Sequence, residues 1–475
     1  MVLPKAIDKA VAIHLIGIGG AGLSAIARLL LESGYRVSGS DRALSPLANS
    51  LLLAGIPVTI GHHADNVRGA GLVVRSSAIP DDNVEVLAAR AAGIPVLKRD
   101  EFLGQLTAHR QTVAVAGTHG KTTTTAMIAW VLSELGQDPS YLIGGVSANL
   151  GTNAHAGQGE AFVIEADEYD RMFHGLKPQV AVVTNIEHDH PDCYPTAEEF
   201  HQAFTTFTLG IQPQGVLVAC GDDVGSARLL DEARTRGQRA FAYGIRTAGL
   251  DYWAKNLEAN SEGGYTFDAR CDLPGGFDLH PAARLQVPGE HNVLNALAAL
   301  AVAHQLGLPL DKVGSALSEY QGTGRRFEVR GEADGVVVID DYAHHPTKIR
   351  ATLAAARVRY PGRRIWAVWQ PHTYSRTRTL LAEFATAFEN ADEVVVLDIY
   401  PAREAAPADH FSSRQVVAAL QHKRAHFIPD LLRATSFLLS RLSRGDVLLV
   451  MSAGDADQIC EYVLSALKER SVSHA

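Results

Sequence analysis

A glycine-hinged loop carries the residues with the clearest capacity for chemistry. It consists of Gly117, Thr118, His119, Gly120, Lys121, Thr122 and Thr123. The loop lies between the apolar run 112–116, which predicts a strand, and the helical pattern of 122–135. A strand that turns sharply into a helix presents unpaired backbone N–H groups and the positive end of the helix dipole, and this loop adds an ammonium group and a hydroxyl group. The loop therefore predicts a binding site for nucleotide phosphates, with Lys121 as a catalytic residue.

Polar residues follow two further apolar runs, 161–164 and 180–184, which predict buried parallel strands beside the loop. These polar clusters are Glu165-Ala166-Asp167-Glu168 and Asn185-Ile186-Glu187-His188-Asp189-His190. Because ligands of open parallel sheets bind at the carboxyl ends of the strands, both clusters should converge on the loop. Mg²⁺ prefers one or two protein oxygens together with substrate phosphates and water. We therefore predict that Thr122 and Glu165 bind Mg²⁺ and that His190 holds a second ion, while Glu187 and His188 receive no role.

A second glycine-rich turn lies near the N-terminus, between a predicted strand at 11–16 and a predicted helix at 23–33. The residues of this turn are Gly17, Gly19, Gly20, Ala21 and Gly22. A further predicted strand, 35–41, ends in Asp41. An acidic residue about 20 residues beyond such glycines completes the dinucleotide-binding fingerprint, in which a pyrophosphate docks on a helix N-terminus. Taken alone, this turn predicts an NAD-binding domain.

The length of the chain indicates more than one domain. Its 475 residues are too many for one hydrophobic core and suggest about three domains. Strands and helices alternate throughout, which predicts an α/β fold in each domain. We expect a Rossmann-like domain at 1–108, a central P-loop ATPase-like parallel-sheet domain at 109–322 and a C-terminal Rossmann-like α/β domain at 323–475.

Charge and hydropathy argue against several classes of partner. The 43 basic and 52 acidic residues give a formal charge of −9, which disfavours a nucleic acid or an anionic membrane as the main partner. No segment approaches the about 18 uninterrupted apolar residues of a membrane span, and residues 1–6 lack the profile of an export signal. The four cysteines show no metal-ligand spacing. We therefore expect a cytoplasmic protein with reduced thiols.

Seven motifs follow one another along the chain. They are His14 to Gly22; Gly117 to Thr123; Glu165 to Glu168; Thr184 to Glu187 with Asp189-His190; Gly322 to Phe327; Asp340-Asp341-Tyr342 with His344 to Thr347; and Gln370-Pro371-His372 with Arg376 to Arg378. In this order they resemble the Mur ligases, ATP-dependent amide-forming enzymes of bacterial cell-wall synthesis. The resemblance covers nearly the whole chain and is greatest to the member that joins L-alanine to UDP-N-acetylmuramic acid. It implies that the lactyl carboxylate of this sugar attacks the γ-phosphate of ATP, and that L-alanine then displaces phosphate from the acyl phosphate.

The resemblance also implies roles for single residues. The N-terminal glycine turn would receive the diphosphate of a UDP-sugar instead of a dinucleotide, and Asp41 and Ser76 would belong to the same substrate site. For ATP, the implied residues beyond the phosphate loop are His291, Asn292, Asn295, Arg325, Asp340 and Asp341. Arg325 would act in catalysis when the C-terminal domain closes. For the other substrates, the implied residues of that domain are Tyr342, His344, His372, Arg376 and Arg378.

Several alternatives stay open at this point. A recycling ligase that attaches a preformed tripeptide to the same UDP-sugar shares the phosphate loop and the paired histidines. A nicotinamide dehydrogenase with an added NTPase domain is a second alternative, but it does not explain the motifs from Arg325 to Arg378. A third alternative is an ATP-gated regulatory binder, which would hydrolyse ATP without ligation.

Some relatives hold the second metal with a carbamylated lysine, but residues 191–212 contain no lysine. The sequence separates neither alanine from glycine and serine nor a monomer from a homodimer.

Overall fold

Three sheets follow one another along the chain. The structure is a computed structural model and describes residues 11–108, 110–402 and 404–473, within which the strands form sheets of five, ten and six strands. Two predictions concern residues that the structure does not describe. They are the export-signal prediction, which rests on residues 1–6, and the domain boundary at His109. Helices cover the sheets, so the predicted α/β class is confirmed. The limits 1–108, 109–322 and 323–475 stay predictions, although each sheet lies within one of them.

The first sheet is entirely parallel and has the strand order β3-β2-β1-β4-β5. Its strands are β1 (Ala12–Ile16), β2 (Arg36–Asp41), β3 (Val58–Ile60), β4 (Leu72–Arg75) and β5 (Val96–Lys98). Its helices are α1 (Ala21–Glu32), α2 (Pro46–Leu53), α3 (Val84–Ala91) and α4 (Arg99–Thr107), with a 3₁₀ helix at Ala64–Val67. The order reverses at β1, so the glycine turn after β1 lies where open α/β sheets bind their ligands.

The central sheet has the order β15-β14-β13-β12-β11-β10-β6-β9-β7-β8. Its strands are β6 (Gln111–Ala116), β7 (Ser140–Leu142), β8 (Ala154–His155), β9 (Ala161–Glu165), β10 (Val180–Val183), β11 (Val216–Cys220), β12 (Arg239–Gly244), β13 (Tyr252–Ala259), β14 (Tyr265–Cys271) and β15 (Asp278–Arg284). Its helices are α5 (Lys121–Glu134), α6 (Ala197–Leu209), α7 (Val224–Thr235), α8 (Glu290–Gln305) and α9 (Leu310–Ser318), with a 3₁₀ segment at Tyr169–Gly175. Because β6 pairs in parallel with both β9 and β10, the polar clusters after these strands meet at one edge.

The two ends of the central sheet are antiparallel. β14 pairs with β13 and β15 in antiparallel register, and β8 pairs in the same way with β7. The apolar residues of α5 and α8 are buried on one face of the sheet, including Ala296, Leu297 and Leu300 of the alanine-rich α8. Small alanine side chains let α8 approach the sheet and α5 closely.

The third sheet has the order β16-β17-β21-β18-β19-β20, and only the β16–β17 pair is antiparallel among its described strands. Its strands are β16 (Glu328–Ala333), β17 (Val336–Asp341), β18 (Ile365–Trp369), β19 (Glu393–Val396), β20 (Ala425–Phe427) and β21 (Val447–Met451). Its helices are α10 (Pro346–Arg359), α11 (Tyr374–Thr379), α12 (Leu381–Ala385), α13 (Ser413–Ala419), α14 (Leu431–Leu439) and α15 (Gln458–Ser473).

One helix of this domain differs from the pattern in the sequence. The apolar spacing predicts a single helix over 379–388, whereas the structure has α11 and α12, separated by Leu380. The helix begins earlier because the Thr373 side chain accepts a hydrogen bond from the backbone N–H of Arg376. This early start places Arg376 in the candidate site. Among the described residues, no helix has the length and apolarity needed to cross a membrane.

Candidate active site

The phosphate loop is built by a strand end, two glycines and a helix start. β6 ends at Ala116 and α5 begins at Lys121. Gly117 and Gly120 have φ angles of 135° and 82°, in the region that favours glycine. A Cβ atom at Gly117 would lie 2.0 Å from Thr184 Oγ1, so a larger residue would clash. Gly120 offers α5 no side-chain cap, which leaves the first N–H groups of the helix available to an anion.

Lys121 forms an ion pair at the base of this loop. Its Nζ lies 2.8 Å from Glu168 Oε1 and donates to the carbonyl oxygen of Gly117 at 2.5 Å. Burial acts to raise the pKa of Glu168, but the charges of Lys121 and His190 lower this pKa to about 2. Burial acts to lower the pKa of Lys121, and Glu168 reverses the effect, so that the pKa is raised. The loop therefore holds a lysine that stays charged at neutral pH.

Thr122 and Glu165 supply adjacent oxygens. Thr122 Oγ1 donates to Glu165 Oε1 at 3.0 Å, and the backbone N–H of Gly144 donates to Glu165 Oε2 at 2.7 Å. Burial raises the pKa of Glu165, while Lys121 acts to lower this pKa. Hydroxyl and carboxylate oxygens are ligand types that Mg²⁺ prefers. The donor set therefore fits the predicted magnesium site.

Two cavities meet at the phosphate loop. The smaller, of about 220 Å³, lies between the central and C-terminal domains. The larger, of about 710 Å³, is lined by residues of all three domains. Lys121, Thr122, Glu165, Arg326 and Lys348 line both cavities. A nucleotide in the smaller cavity and a second substrate in the larger one would therefore meet at Lys121.

The smaller cavity contains three of the residues that the family resemblance implies for ATP. His291, Asn292 and Asn295 line it, and both asparagines are buried. Asn295 Oδ1 accepts a hydrogen bond from Thr124 Oγ1 at 3.0 Å, and Asn295 Nδ2 donates to Asn292 Oδ1 at 3.0 Å. The cap position of α8 is occupied by Gly289, so neither asparagine is a helix cap. Both asparagines are instead held rigidly beside the phosphate loop.

The two aspartates at the end of β17 have different surroundings. Asp341 lines the smaller cavity, and Asp341 Oδ2 accepts a hydrogen bond from the backbone N–H of Phe327 at 2.7 Å. Asp340 lies 3.3 Å from Arg325 Nε. Burial raises the pKa of Asp340 to about 6, although Arg325 acts to lower this pKa. Arg325 and Tyr342 line the larger cavity, with the guanidinium 5.2 Å from the centre of the Tyr342 ring.

Arg376 joins the C-terminal domain to the central domain inside the larger cavity. Its Nε donates to Asp189 Oδ1 at 2.7 Å, and both side chains are almost fully buried. Burial acts to raise the pKa of Asp189, but Arg376 and His190 hold this pKa well below its usual range. Arg376 Nη1 lies 3.0 Å from His372 Nδ1. His190, His344 and His372 therefore line the larger cavity together with the buried Arg376–Asp189 pair.

Some of the predicted residues lie away from the two cavities. Arg378 Nη2 pairs with Asp409 Oδ1 at 2.7 Å, and both side chains are exposed. Asp41 Oδ2 accepts a hydrogen bond from the backbone N–H of Gly19 at 2.8 Å, so Asp41 braces the glycine turn. Of the residues predicted in the first domain, Ala21 and Gly22 line the larger cavity, and Gly17, Gly19, Gly20, Asp41 and Ser76 do not.

The cavity residues without a role in the sequence-based prediction include Lys348, Arg326 and Asp189. Lys348 lies in the first turn of α10, and its pKa is lowered to about 7, first by burial and then by the charges of Arg326 and Lys121. Arg326 Nη2 lies 3.4 Å from Thr122 Oγ1. Asp189 is the partner of Arg376. Their only signal in the sequence is proximity to a motif: Lys348 directly follows the motif His344 to Thr347, and Arg326 and Asp189 lie within two other motifs.

Comparison with known proteins gives the class of this protein. Residues 12–111 match the Mur ligase family catalytic domain, residues 115–303 the Mur ligase middle domain, and residues 325–454 the Mur ligase glutamate ligase domain. The UDP-N-acetylmuramate–L-alanine ligase of Renibacterium salmoninarum is 46% identical over 464 residues, which cover 97% of this chain and 97% of the relative. The chain therefore belongs to the Mur ligase family of ATP-dependent ligases.

Two solved structures give the more particular likeness. The structure of UDP-N-acetylmuramate-alanine ligase from Thermotoga maritima has a TM-score of 0.79 and 30% identity, covering 98% of this chain and 100% of that chain. The structure of a murein peptide ligase from Psychrobacter arcticus has a TM-score of 0.70 and 25% identity, covering 96% of this chain and 99% of that chain. The predicted family is thus confirmed along nearly the whole chain.

Proposed function

We propose that this protein joins L-alanine to the lactyl carboxylate of UDP-N-acetylmuramic acid, with conversion of ATP to ADP and phosphate, in the synthesis of peptidoglycan precursors. One observation carries the proposal: Lys121 lies where the smaller cavity, beside the phosphate loop, meets a larger cavity lined by all three domains. The named relatives at high identity support the same substrates. The nucleotide substrates are cytoplasmic metabolites, so we place the protein in the cytoplasm, as a monomer or a homodimer.

We place each substrate by the residues around it. ATP would lie in the smaller cavity, with its base beside His291 and the two asparagines and its phosphates on the loop. The diphosphate of the UDP-sugar would lie on the N-terminus of α1, and the lactyl group would extend through the larger cavity toward Lys121. The carboxylate of alanine would pair with Arg376, because a guanidinium binds a carboxylate with two parallel hydrogen bonds.

The chemistry follows from this placement. A lactyl carboxylate oxygen attacks the γ-phosphorus. The bond from this phosphorus to the oxygen that bridges the β- and γ-phosphates breaks, and ADP leaves. The amine of alanine then attacks the acyl carbon, the carbon–oxygen bond to phosphate breaks, and the amine loses a proton. Lys121 and Arg326 offset the charge of two anions that must approach each other. Thr122, Glu165 and His190 would hold Mg²⁺, which supplies further charge neutralisation on the phosphates when bound.

Phosphate release from ATP tests this function directly. We expect release only when UDP-N-acetylmuramic acid and an amino acid are both present, with the highest kcat/KM for L-alanine. The preference over glycine and serine is expected to be only about 10- to 200-fold, because these amino acids differ by one small group. Amide formation with a preformed tripeptide and not with L-alanine would assign the protein to the recycling reaction instead.

Thermal unfolding separates this proposal from a dehydrogenase. A UDP-sugar should raise the melting temperature, since a ligand that binds only the folded state stabilises it. NAD(H) should leave the melting temperature unchanged. Stabilisation by NAD(H) alone would contradict the assignment of the N-terminal glycine turn to a UDP-sugar.

Nucleotide binding at pH 8 is expected to take up a proton at Lys348. The lowered pKa of about 7 leaves this amine mostly neutral at pH 8. Phosphate oxygens beside the amine would raise its pKa, so the sign of the change is uptake. Titration calorimetry in two buffers of different ionisation enthalpy measures the number of protons.

The matched control for this titration is an exposed lysine. Lys348→Met should lose most of the proton uptake, while Lys312→Met, on the surface of α9, should behave as the wild type. Equal uptake by the wild type and Lys348→Met would place the phosphates away from Lys348.

A further inference from the structure

Glu187 lies between the phosphate loop and the C-terminal domain. Glu187 Oε2 lies 2.7 Å from His119 Nε2, a residue of the loop. Glu187 Oε1 accepts a hydrogen bond of 2.6 Å from Thr347 Oγ1, at the start of α10. One carboxylate therefore contacts both the phosphate loop and the C-terminal domain.

The loop side of this contact is fixed by its neighbours. Thr118 Oγ1 donates to the carbonyl oxygen of Glu187 at 2.8 Å, and the Glu187 backbone N–H donates to Thr118 Oγ1 at 2.9 Å. The backbone N–H of His119 donates to Asn185 Oδ1 at 2.8 Å. Hydrogen bonds from the segment after β10 therefore fix the middle of the phosphate loop. The Glu187 side chain extends from this segment to Thr347 of the C-terminal domain.

The charge state of His119 agrees with a hydrogen bond to Glu187. Burial, followed by the charge of Lys348, holds the pKa of His119 well below its usual range, so the imidazole is neutral. A neutral imidazole that donates from Nε2 to a carboxylate has no proton on Nδ1. His119 Nδ1 is indeed buried without a hydrogen-bond partner among the described residues. The carboxylate thus selects one tautomer and one orientation of the loop histidine.

A metal ion explains this cluster less well than hydrogen bonds do. His119, Glu187 and His345 have ligand atoms within 4.8 Å of one another. Two ligands of one tetrahedral zinc ion lie about 3.3 Å apart, as bonds of about 2.0–2.2 Å require. The His119–Glu187 distance of 2.7 Å is shorter than this, and the His345–Glu187 distance of 3.8 Å is longer. Glu187 Oε1 is also already occupied by the Thr347 hydroxyl.

We propose that Glu187 is a positioning residue that couples closure of the C-terminal domain to the nucleotide-bound arrangement of the phosphate loop, through its hydrogen bonds to His119 and Thr347. The inference rests on the proposed function. Thr347 and Lys348 lie in the first turn of α10, and the paired histidines directly precede this helix. When Thr347 reaches Glu187, Lys348 is brought to the junction of the two cavities, and the site for phosphate transfer is complete.

A pair of substitutions at Thr347 tests this coupling. Thr347→Val keeps the shape and removes the hydroxyl, while Thr347→Ser keeps the hydroxyl. We expect kcat for ligation to fall about tenfold in the valine variant, the loss that a hydrogen bond to a charged acceptor implies. The serine variant should stay close to the wild type. Amide hydrogen exchange at residues 345–350, measured without substrates, should be faster in Thr347→Val only.

A double-mutant cycle with Glu187→Ala separates coupling from a direct contact of Thr347 with the nucleotide. If Thr347 acts through Glu187, adding Thr347→Val to Glu187→Ala should change kcat by less than about twofold. Additive losses in the double variant would overturn the inference, as would unchanged exchange and turnover in Thr347→Val. Loss of the exchange difference between Thr347→Val and the wild type when EDTA is added, measured without substrates, would overturn it in favour of a metal site.

The two readouts also separate this inference from the proposed function. A wild-type protein that fails to ligate, but whose exchange at 345–350 responds to Thr347→Val, would refute the function and leave the contact between domains standing. A wild-type protein that ligates alanine, but whose exchange and turnover ignore Thr347→Val, would refute only the role of Glu187.

Discussion

Lys121→Met is expected to lower the rate of ligation by about 10²-fold or more. Lys121 is the charged residue of the phosphate loop and lies at the junction of the two cavities. The first step brings a carboxylate against a triphosphate, and the loss of one preorganised charge at such a centre costs about 10²- to 10³-fold in kcat. Single-turnover formation of ADP, followed by rapid quenching, measures this step without interference from product release.

The ion pair of Lys121 with Glu168 requires a control for folding. Lys121→Met leaves a buried carboxylate without its main partner, and such a loss costs about 3–5 kcal/mol of stability. The double variant Lys121→Met, Glu168→Gln removes both charges, so the melting temperature should recover while turnover stays low. Recovery of turnover together with stability would show that Lys121 serves the fold and not the reaction.

Arg376→Met is expected to give the second large effect, on both stability and the use of alanine. Arg376 and Asp189 form a buried ion pair between two domains, with an N–O distance of 2.7 Å. Removal of one partner leaves the other charge buried, which costs about 3–5 kcal/mol. We also expect KM for L-alanine to rise about 10- to 100-fold, because a charged hydrogen bond to the amino-acid carboxylate is lost. Denaturant unfolding and steady-state kinetics measure the two effects.

The double variant Arg376→Met, Asp189→Asn separates these two effects. It removes both buried charges, so most of the stability should return. The KM for L-alanine should stay high, because the guanidinium is still missing. Arg378→Met is the matched control, since Arg378 pairs with Asp409 at the surface and its loss should leave KM unchanged. A normal KM in the Arg376 variant would remove Arg376 from the alanine site.

Local patterns account for the parts of the site that the sequence could predict. The phosphate loop is specified within a few residues, because the glycines, Lys121 and Thr122 all lie between one strand and one helix. The convergence of Glu165 and His190 on this loop followed from the rule that parallel strands present their carboxyl ends together. Both inferences needed only the order of strands and polar residues along the chain.

Residues that act across domains left no such pattern. Glu187 differs from an ordinary surface carboxylate because His119 of the phosphate loop and Thr347 of another domain both contact it. The low pKa of Lys348 also depends on burial beside Arg326 and Lys121, which lie far away in the sequence. Periodicity and spacing report local structure, so they could not reveal contacts between residues 160 positions apart.

The arginines of the C-terminal motif could be told apart only once the start of α11 was known, because the helix predicted over 379–388 contains neither of them. Arg376 and Arg378 both lie in α11, and residues two apart on a helix point to nearly opposite sides. Only one of them can therefore face a given cavity. The structure directs Arg376 inward to Asp189 and leaves Arg378 at the surface.

The fate of a labelled oxygen tests the central claim, transfer of the terminal phosphoryl group of ATP to the sugar carboxylate. UDP-N-acetylmuramic acid labelled with ¹⁸O in its lactyl carboxylate would be converted by the wild-type protein with ATP and L-alanine, and the phosphate would be examined by mass spectrometry. We expect one ¹⁸O atom in each phosphate released, because the attacking carboxylate oxygen leaves with phosphate. Formation of ADP and amide with unlabelled phosphate would contradict the account.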